Sequence, residues 1–574
     1  MGTQIDKFYA DEARIRTVLF RINLIECLAV IATLAGELAK EFVSVAERLD
    51  QQFFWAYRSV EVIILMCFIG RVAVTWRGRQ ESSFRALSAA AIIFVLGLAL
   101  INLRLASFLA LIHDAFLGLR HSQLKSQDLR FYQRLSRKPA ATLVVTFLLV
   151  SILGGGLLAL PSSQMDPSEV SFIDALFTAI SATCVTGLTT VDSSTAWTPF
   201  GQTVLLLLIQ LGGLGIMVFG SALSLSLGQK LKIFERDLVE DVFDDTDTLE
   251  LRSLLKGVLG FTLAIELIGA CLLYPAFSET MAWNQALGYS IFHSVSAFCN
   301  AGFALFPDSL VEFQGHVWVN LIIGSLFTLG GFGFGVLLGL YKVLRHRKTT
   351  RLSLQARGVL TMSVILIVLG SVLWFIFEYD GLLKDKPLGT SVLISIFQSA
   401  TTRTAGFSTI ALDEMQSTTI VLMSVLMLIG ASPGSTGGGI KTTTLLVVAL
   451  AIRAFIRGRK EVTYHYRTIE LTIVLKALAI LGAVLSAFLF GTMCLLWVEP
   501  DLVPMRVVFE SASALGTTGL SMGITGDLST AGKLIVCVLM FFGRLGPLTI
   551  ATAALLGGER GSRIKYPTGR INVG

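Results

Sequence analysis

Charge is scarce in this chain of 574 residues: Asp, Glu, Lys and Arg make up 15% of it, where soluble globular domains carry about 25%. That shortage excludes an ordinary soluble enzyme or a nucleic-acid binder with a basic face. The seven cysteines (Cys27, Cys67, Cys184, Cys271, Cys299, Cys494 and Cys537) include no CxxC pair and fall in or beside apolar segments, which argues against a disulfide framework or a zinc site. Six scattered histidines offer no ligand pair, so His293 reads as a locally bonded side chain. No clustered acid–base or nucleophile constellation is present, and an enzyme is not expected. No arginine recurs every third residue through an apolar helix, so a voltage sensor is not expected either. The polar opening "MGTQIDKFYADEARIR" precedes the first apolar run, and no cleavable signal peptide is evident.

Apolar residues fill the space that charge leaves. They make up 53% of the chain, and the mean hydropathy is +0.73. Residues 141–160 ("ATLVVTFLLVSILGGGLLAL") and 471–497 are long enough to cross a hydrocarbon core of about 30 Å as helices. The chain is therefore expected to be a polytopic membrane protein of the all-α class.

Four short stretches repeat within it: "FTAISATCVTGLTTV" (177–191), "FHSVSAFCNAGFALF" (292–306), "FQSATTRTAGFSTIA" (397–411) and "FESASALGTTGLSMG" (509–523). Each runs from a phenylalanine through small hydroxyl residues to a glycine followed by Leu or Phe. The glycines are Gly187, Gly302, Gly406 and Gly519, recurring at roughly 110 residues. The third stretch is one residue shorter between Phe and Gly. Around every stretch the hydropathy reads spanning run, shorter amphipathic run, glycine stretch, spanning run. This predicts helix, re-entrant half-helix with a loop, helix. Non-helical backbone at membrane depth survives only inside protein or facing water, so four such loops are expected to converge on one axis.

Basic linkers orient the repeats. Arg130, Arg134, Arg137 and Lys138 precede the first; Lys230, Lys232 and Arg236 follow it; Lys342, Arg345, Arg347, Lys348 and Arg351, then Arg453, Arg457, Arg459 and Lys460, separate the others; Arg560, Arg563 and Lys565 close the chain. The positive-inside rule places all of these in the cytosol. The segments after the glycines then face outward, and each carries an acid: Asp192, Asp308, Asp413 and Asp527. Four carboxylates would ring an outer mouth and concentrate cations there.

A cation that sheds water in a pore needs replacement oxygens, which aimed backbone carbonyls supply. Glycine reaches the necessary backbone angles without a Cβ penalty. The half-helices would point their partly negative C-terminal ends at the ion. The expected filter comprises Cys184, Val185, Thr186 and Gly187; Cys299, Asn300, Ala301 and Gly302; Thr404, Ala405 and Gly406; and Thr517, Thr518 and Gly519. Arg403 is expected to brace its loop from behind, because a cation in the ion path would block it.

A fifth glycine-rich stretch, "GASPGSTGGGIKTTT" (430–444), has the composition of a phosphate loop. Ile440 separates Gly439 from Lys441, which spoils the G-x-x-x-x-G-K-[ST] spacing, and no strand precedes it. The flanking apolar runs span a membrane only together, so Pro433 and the glycines interrupt one helix. Arg544 lies midway in the last apolar span, where a cation is costly and usually functional; Glu510 and Glu266 are candidate partners. Lys441 is a neutraliser of loop carbonyls, a competitor of the permeant ion or a snorkelling side chain.

"SATCVTGLTTVD", "SAFCNAGF", "TTRTAGFSTI" and "ALGTTGLSMGITGDLS" together resemble the four filter stretches of the TrkH/KtrB/HKT superfamily of cation transporters, over residues 137–574. The resemblance implies four pseudo-fourfold helix–pore loop–helix repeats around one ion pore. It implies a channel-like or symporting potassium uptake subunit of the cell inner membrane, with sodium or sodium–potassium transport as the alternative. Glycine at the first filter position (Gly187) favours potassium in this resemblance, since serine there goes with sodium preference in one plant branch. Residues 430–444, with Gly430, Ser432, Pro433, Gly434, Gly437, Gly438, Gly439 and Lys441, correspond to an intramembrane gating loop. Arg544 corresponds to a pore-constricting arginine. Expected partners are a second copy, forming a homodimer, a cytosolic ring of nucleotide-binding regulatory subunits and membrane lipid, with no nucleic acid. No covalent cofactor is expected, only K+ in the filter, with nucleotide confined to the regulatory partner. The implied organisation is extra N-terminal transmembrane or interfacial helices over 1–136, then repeats at 137–229, 230–343, 344–460 and 461–558, and a cytosolic tail at 559–574.

Overall fold

Short polar residues start many of the helices. Ser171, Thr198, Ser353 and Ser529 each accept a hydrogen bond from a backbone N–H in the first turn, satisfying donors that a helix leaves free at its start. A computed structural model describes residues 139–166, 168–215, 248–345, 352–547 and 549. The expected N-terminal helices (1–136), the tail (559–574) and the basic residues at 230–236 and 347–351 lie outside the described residues. Those described fall within one unit, Arg134–Gly574.

The first group of helices is α1 (Pro139–Leu158), α2 (Phe172–Cys184) and α3 (Pro199–Leu214). Next come α4 (Thr248–Ser278), α5 (Trp283–Phe298), α6 (Val317–Phe332) and α7 (Phe334–Arg345). A third group holds α8 (Leu354–Glu378), α9 (Leu388–Thr401), α10 (Ser417–Leu428) and α11 (Thr442–Ile456). After a hairpin of β1 (Val462–Tyr464) and β2 (Arg467–Ile469) follow α12 (Leu471–Val498), α13 (Pro504–Gly516) and α14 (Thr530–Leu545). The fold is predominantly helical, and the hairpin is the exception to the all-α expectation. Its strands are antiparallel, with Val462 opposite Ile469, in the basic linker before α12.

Residues 257–278 of α4, together with α8 and α12, are long and apolar enough to cross a membrane. Their outer faces present Leu267, Val364, Phe490 and Met493 at 61–72% exposure, a surface that lipid solvates and water does not. The short helices α2, α5, α9 and α13 hold 13 to 16 residues. At 1.5 Å per residue they reach about 20–24 Å, less than a bilayer core of about 30 Å. Their buried residues include Phe177, Phe292, Phe397 and Phe509, the aromatic that begins each repeated stretch.

Packing of these elements closes in chain order. α2, α5 and α13 each lie on the helices before and after them. In addition α3 packs on α5, α6 on α9, α10 on α13, and α14 returns to α2. The outcome differs from expectation in the second helix of the repeats. One interruption is expected from sequence, at 430–444. The structure also breaks residues 317–345 at Gly333, with a bend of 104° between α6 and α7. α3 and α14 likewise stop at Gly215 and Gly546. All three glycines have positive φ (78°, 88° and 80°), a conformation glycine adopts without steric cost. Each lies in the pattern G-x-x-G: Gly212 to Gly215, Gly330 to Gly333, Gly543 to Gly546.

Candidate functional site

The four glycine stretches share one backbone path. Two residues before each glycine stands a non-glycine residue with left-handed φ: Val185 (57°), Asn300 (60°), Thr404 (63°) and Thr517 (51°). The glycines follow at 97°, 70°, 78° and 90°. A left-handed residue costs of order 1–3 kcal/mol and persists only where its surroundings impose it. Here the half-helices impose it. Backbone N–H groups of Thr186, Ala301, Ala405 and Thr518 donate back to Ser181, Ser296, Thr401 and Ser513 carbonyls at 2.8–3.0 Å. The hydroxyls of those same four residues reach forward. Ser181 and Ser513 accept from the Gly187 and Gly519 N–H groups at 3.0 Å; Ser296 and Thr401 donate to the Phe303 and Phe407 carbonyls at 2.7 Å.

The glycines close a ring in chain order. A Cβ added to Gly187 would lie 2.4 Å from the Ala301 carbonyl oxygen, and one on Gly302 would lie 3.0 Å from that of Ala405. A Cβ on Gly406 would meet the Thr518 oxygen at 2.5 Å, and one on Gly519 would meet the Thr186 oxygen at 2.0 Å. The structure thus brings together the expected residues 185–187, 300–302, 404–406 and 517–519. The Cys184 and Cys299 side chains are buried; Cys299 Sγ turns to the Gln210 and Glu266 side chains.

On one side of the ring opens a cavity of about 700 Å³ lined by all four glycines. Asp192, Asp308 and Asp413 line it as well. Asp527 does not: it is exposed, next to the lining residue Gly526. Arg506 lines the same cavity, a cation that hydropathy alone does not single out.

Under the ring lies the loop between α10 and α11. Beside internal hydrogen bonds such as Ala431 N–H to the Gly438 carbonyl, several run outward to other parts of the chain. Ser432 N–H donates to Gly331, Gly439 N–H to Gly543, and Gly438 N–H to the Thr517 hydroxyl at 3.0 Å. Thr436 Oγ1 donates to Asn300 Oδ1 at 3.0 Å. The loop therefore touches the side chains of the left-handed residues themselves. Arg544 donates to two carbonyls, Thr436 of the loop and Gly212 of α3. Neither Glu510 nor Glu266 partners it: Glu266 accepts from Gln210 at 3.2 Å, and Glu510 from Ser521 at 2.9 Å and from Thr525. Lys441 Nζ donates to the Gly437 carbonyl at 2.7 Å, the carbonyl-neutralising role rather than the snorkelling one. Arg403 is buried with its Nε unpartnered, while its carbonyl accepts from Asn300 Nδ2 at 3.5 Å. His293 donates from Nδ1 to the Tyr289 carbonyl in the tautomer that lets Nε2 accept from Leu305 N–H.

Residues 106–563 match the family model described as TrkH, cation transport protein. The chain belongs to the TrkH cation transport family. Family membership makes it a transporter rather than an enzyme, and a multi-pass membrane protein. It is 41% identical over 438 residues to the Ktr system potassium uptake protein B of Bacillus subtilis (strain 168), covering 76% of this chain and 97% of that one. It is 34% identical to the potassium/sodium uptake protein NtpJ of Enterococcus hirae, covering 78% and 99%. Among solved structures, the potassium transporter TrkH from Vibrio parahaemolyticus superposes with a TM-score of 0.59 at 19% identity, over 81% of this chain and 95% of that one; this likeness is one of fold.

Sequence reasoning missed the bracing hydroxyls, the acceptors of Arg544 and the breaks at Gly215, Gly333 and Gly546. A signal for the breaks was present in the thrice-repeated G-x-x-G. The acceptors had none, since they are backbone atoms.

Proposed function

We propose that this chain is a channel-like potassium uptake subunit in which four pseudo-fourfold repeats surround one ion pore. The observation that carries the reading is the closed ring of four glycines, each preceded by a left-handed residue. Carbonyls around such a ring replace the water of a dehydrated cation, with K+ as the cargo. The half-helix C-termini add partial negative charge, and Asp192, Asp308 and Asp413 raise the local cation concentration in the cavity. Residues 430–444 act as the gate and Arg544 as its latch. Each hydrogen bond holding the loop contributes about 0.5–1.5 kcal/mol net, so a partner with a few kcal/mol of differential affinity can move it. That partner is a cytosolic ring of nucleotide-binding regulatory subunits acting on a homodimer of this chain, with nucleotide on the ring only.

Growth of a potassium-uptake-deficient bacterium at low potassium, with a regulatory partner co-expressed, tests the reading. Rescue is expected, and failure in the presence of the expressed protein would sink it. Removing part of 430–444 should raise ion flux in reconstituted vesicles; unchanged flux would remove the gate assignment. The kinship with a potassium/sodium uptake protein favours sodium–potassium transport as the second reading. Rescue that requires added sodium would select it. Gly187→Ser sets a Cβ 2.4 Å from the Ala301 carbonyl oxygen, so total flux should fall while the flux that remains admits sodium more readily; an unaltered ion preference would remove the filter assignment at that position.

A further inference from the structure

The residue that follows the shared phenylalanine is buried and polar in every repeated stretch: Thr178, His293, Gln398 and Glu510 are all 0% exposed. Three of them tie their half-helix to the chain just beyond the glycine. His293 Nε2 accepts from Leu305 N–H at 3.2 Å. Gln398 Nε2 faces the Ser408 and Thr409 hydroxyls at 3.2 and 3.3 Å. Glu510 faces Ser521 and Thr525. Thr178 instead donates to the Asp174 carbonyl at 2.8 Å. Glu510 is the one acid among the four.

Counting hydrogens decides its state. Glu510 Oε2 and Ser521 Oγ are 2.9 Å apart, Ser521 Oγ and Thr525 Oγ1 are 2.8 Å apart, and Thr525 Oγ1 contacts Glu510 Oε1. These three contacts form a closed triangle. Each hydroxyl supplies one hydrogen and an ionised carboxylate supplies none. Two hydrogens cannot serve three contacts, whichever way the hydroxyls turn. Gly523 N–H donates to Ser521 Oγ from outside and adds nothing to the shared set. The missing hydrogen belongs to the carboxyl group.

We propose that Glu510 is a proton-binding site set one hydroxyl behind the outer cavity, and that its proton locks the segment after the fourth glycine onto the half-helix α13. With the proton on the carboxyl, the ring runs from Glu510 to one hydroxyl, on to the other, and back to the second carboxyl oxygen. Loss of the proton breaks one contact and leaves a bare carboxylate one hydroxyl away from water. Ser521 and Thr525 both line the cavity, so the proton enters from there. Among the described residues no cation is paired with the group. On α13 itself Arg506 lies one turn outward. Of the elements packed on α13, α10 carries no titratable side chain. α12 carries Lys476 and Cys494 and ends at Glu499, which accepts from Ser529. α14 carries Lys533, paired with Asp174, Cys537, and Arg544, bound to carbonyls. Lys441 of the loop is held by Gly437, and Asp527 of the post-glycine segment is exposed. No ion pair or hydrogen bond joins any of these to Glu510 among the described residues.

The sign follows directly. The locked segment is present while the proton is bound and is lost as external pH rises through the titration. Glu510→Gln keeps the triangle at every pH, because its NH2 donates to Thr525 and its oxygen accepts from Ser521. The experiment compares wild type, E510Q and T525V in vesicles, reading rubidium against sodium uptake between acid and alkaline external pH. For the wild type, rubidium preference should fall by about two- to tenfold on alkalinisation, the range of one hydrogen bond's net contribution. E510Q should hold the acid value throughout. T525V, with one contact and one hydroxyl hydrogen left, should lose its preference at lower pH than wild type. Identical profiles for wild type and E510Q, sloped or flat, would overturn the proposal. A readout independent of transport is infrared difference spectroscopy of the purified protein. A protonated-carboxyl stretch present in wild type at neutral pH and missing in E510Q is expected, and its absence from wild type would overturn the site even if uptake proves to be of another ion.

Discussion

The glycine ring and the 430–441 loop are both irregular backbone in the interior of a membrane protein, yet they are held in opposite ways. Each ring segment is fastened by its own half-helix: Ser181, Ser296, Thr401 and Ser513 lie only five or six residues before the glycine they brace. The loop adds to its few internal bonds others borrowed from distant parts of the chain, including Gly331, Asn300, Thr517, Gly543 and Arg544. Local fastening survives whenever the half-helix is formed. Borrowed fastening survives only while the neighbours keep their places. A chain that must hold one irregular segment still and release another is served by this difference.

The sharpest way to break the comparison is to strike the ring. Gly519→Ala would place a Cβ 2.0 Å from the Thr186 carbonyl oxygen in a left-handed residue. Ion flux should fall by about tenfold or more, since backbone cannot yield as a side chain can. Rubidium uptake by vesicles checks this, with size-exclusion chromatography showing that the variant is assembled; normal uptake would refute the ring's role. Next in size is the latch. Arg544→Ala frees the Thr436 and Gly212 carbonyls and should raise flux by about tenfold, the lower end of the 1.5–3 kcal/mol of a charged hydrogen bond, without altering ion preference. A lowered flux would mean that Arg544 supports the pore rather than closing it.

A smaller effect is expected from Thr436→Val, which removes one neutral hydrogen bond to Asn300. Flux should rise by about two- to tenfold at most, and a larger rise than in the Arg544 variant would invert the proposed order. Smallest are the cavity charges. Asp308→Asn should weaken, and Arg506→Gln strengthen, apparent cation affinity by about twofold at low ionic strength. Both effects should fade above about 0.1 M salt, where the screening length is about 10 Å. Effects of the same sign would show that the two residues do not act through the field in the cavity.

Much of the architecture was legible in the chain because it depends on local properties. Hydropathy marked the spanning segment at 471–497, which the structure forms as Leu471–Val498, and the run at 141–160, whose apolar helix is shorter, Leu143–Leu158. The shared Phe and Gly positions marked half-helices and their ends. Pro433 and its neighbouring glycines marked the broken helix. Left-handed Val185 and Thr517 were not legible, since β-branched residues avoid that conformation and only the half-helix imposes it. The break at Gly333 was hidden inside an unbroken apolar run. Glu510 was visible as an intramembrane acid, but its two hydroxyl partners come from a segment 11 to 15 residues later, beyond any helical spacing.

By itself the sequence determined the membrane class, the fourfold recurrence and the glycines that admit left-handed backbone, because solvent preference and backbone freedom belong to each residue where it stands. Tertiary structure alone decided that Gly519 returns to Thr186, and that Arg544 bridges carbonyls 108 and 332 residues away. Carbonyl acceptors are present on every residue, so no side-chain pattern selects among them. Only the closure of helix packing, from α14 back onto α2, brings a particular carbonyl within reach.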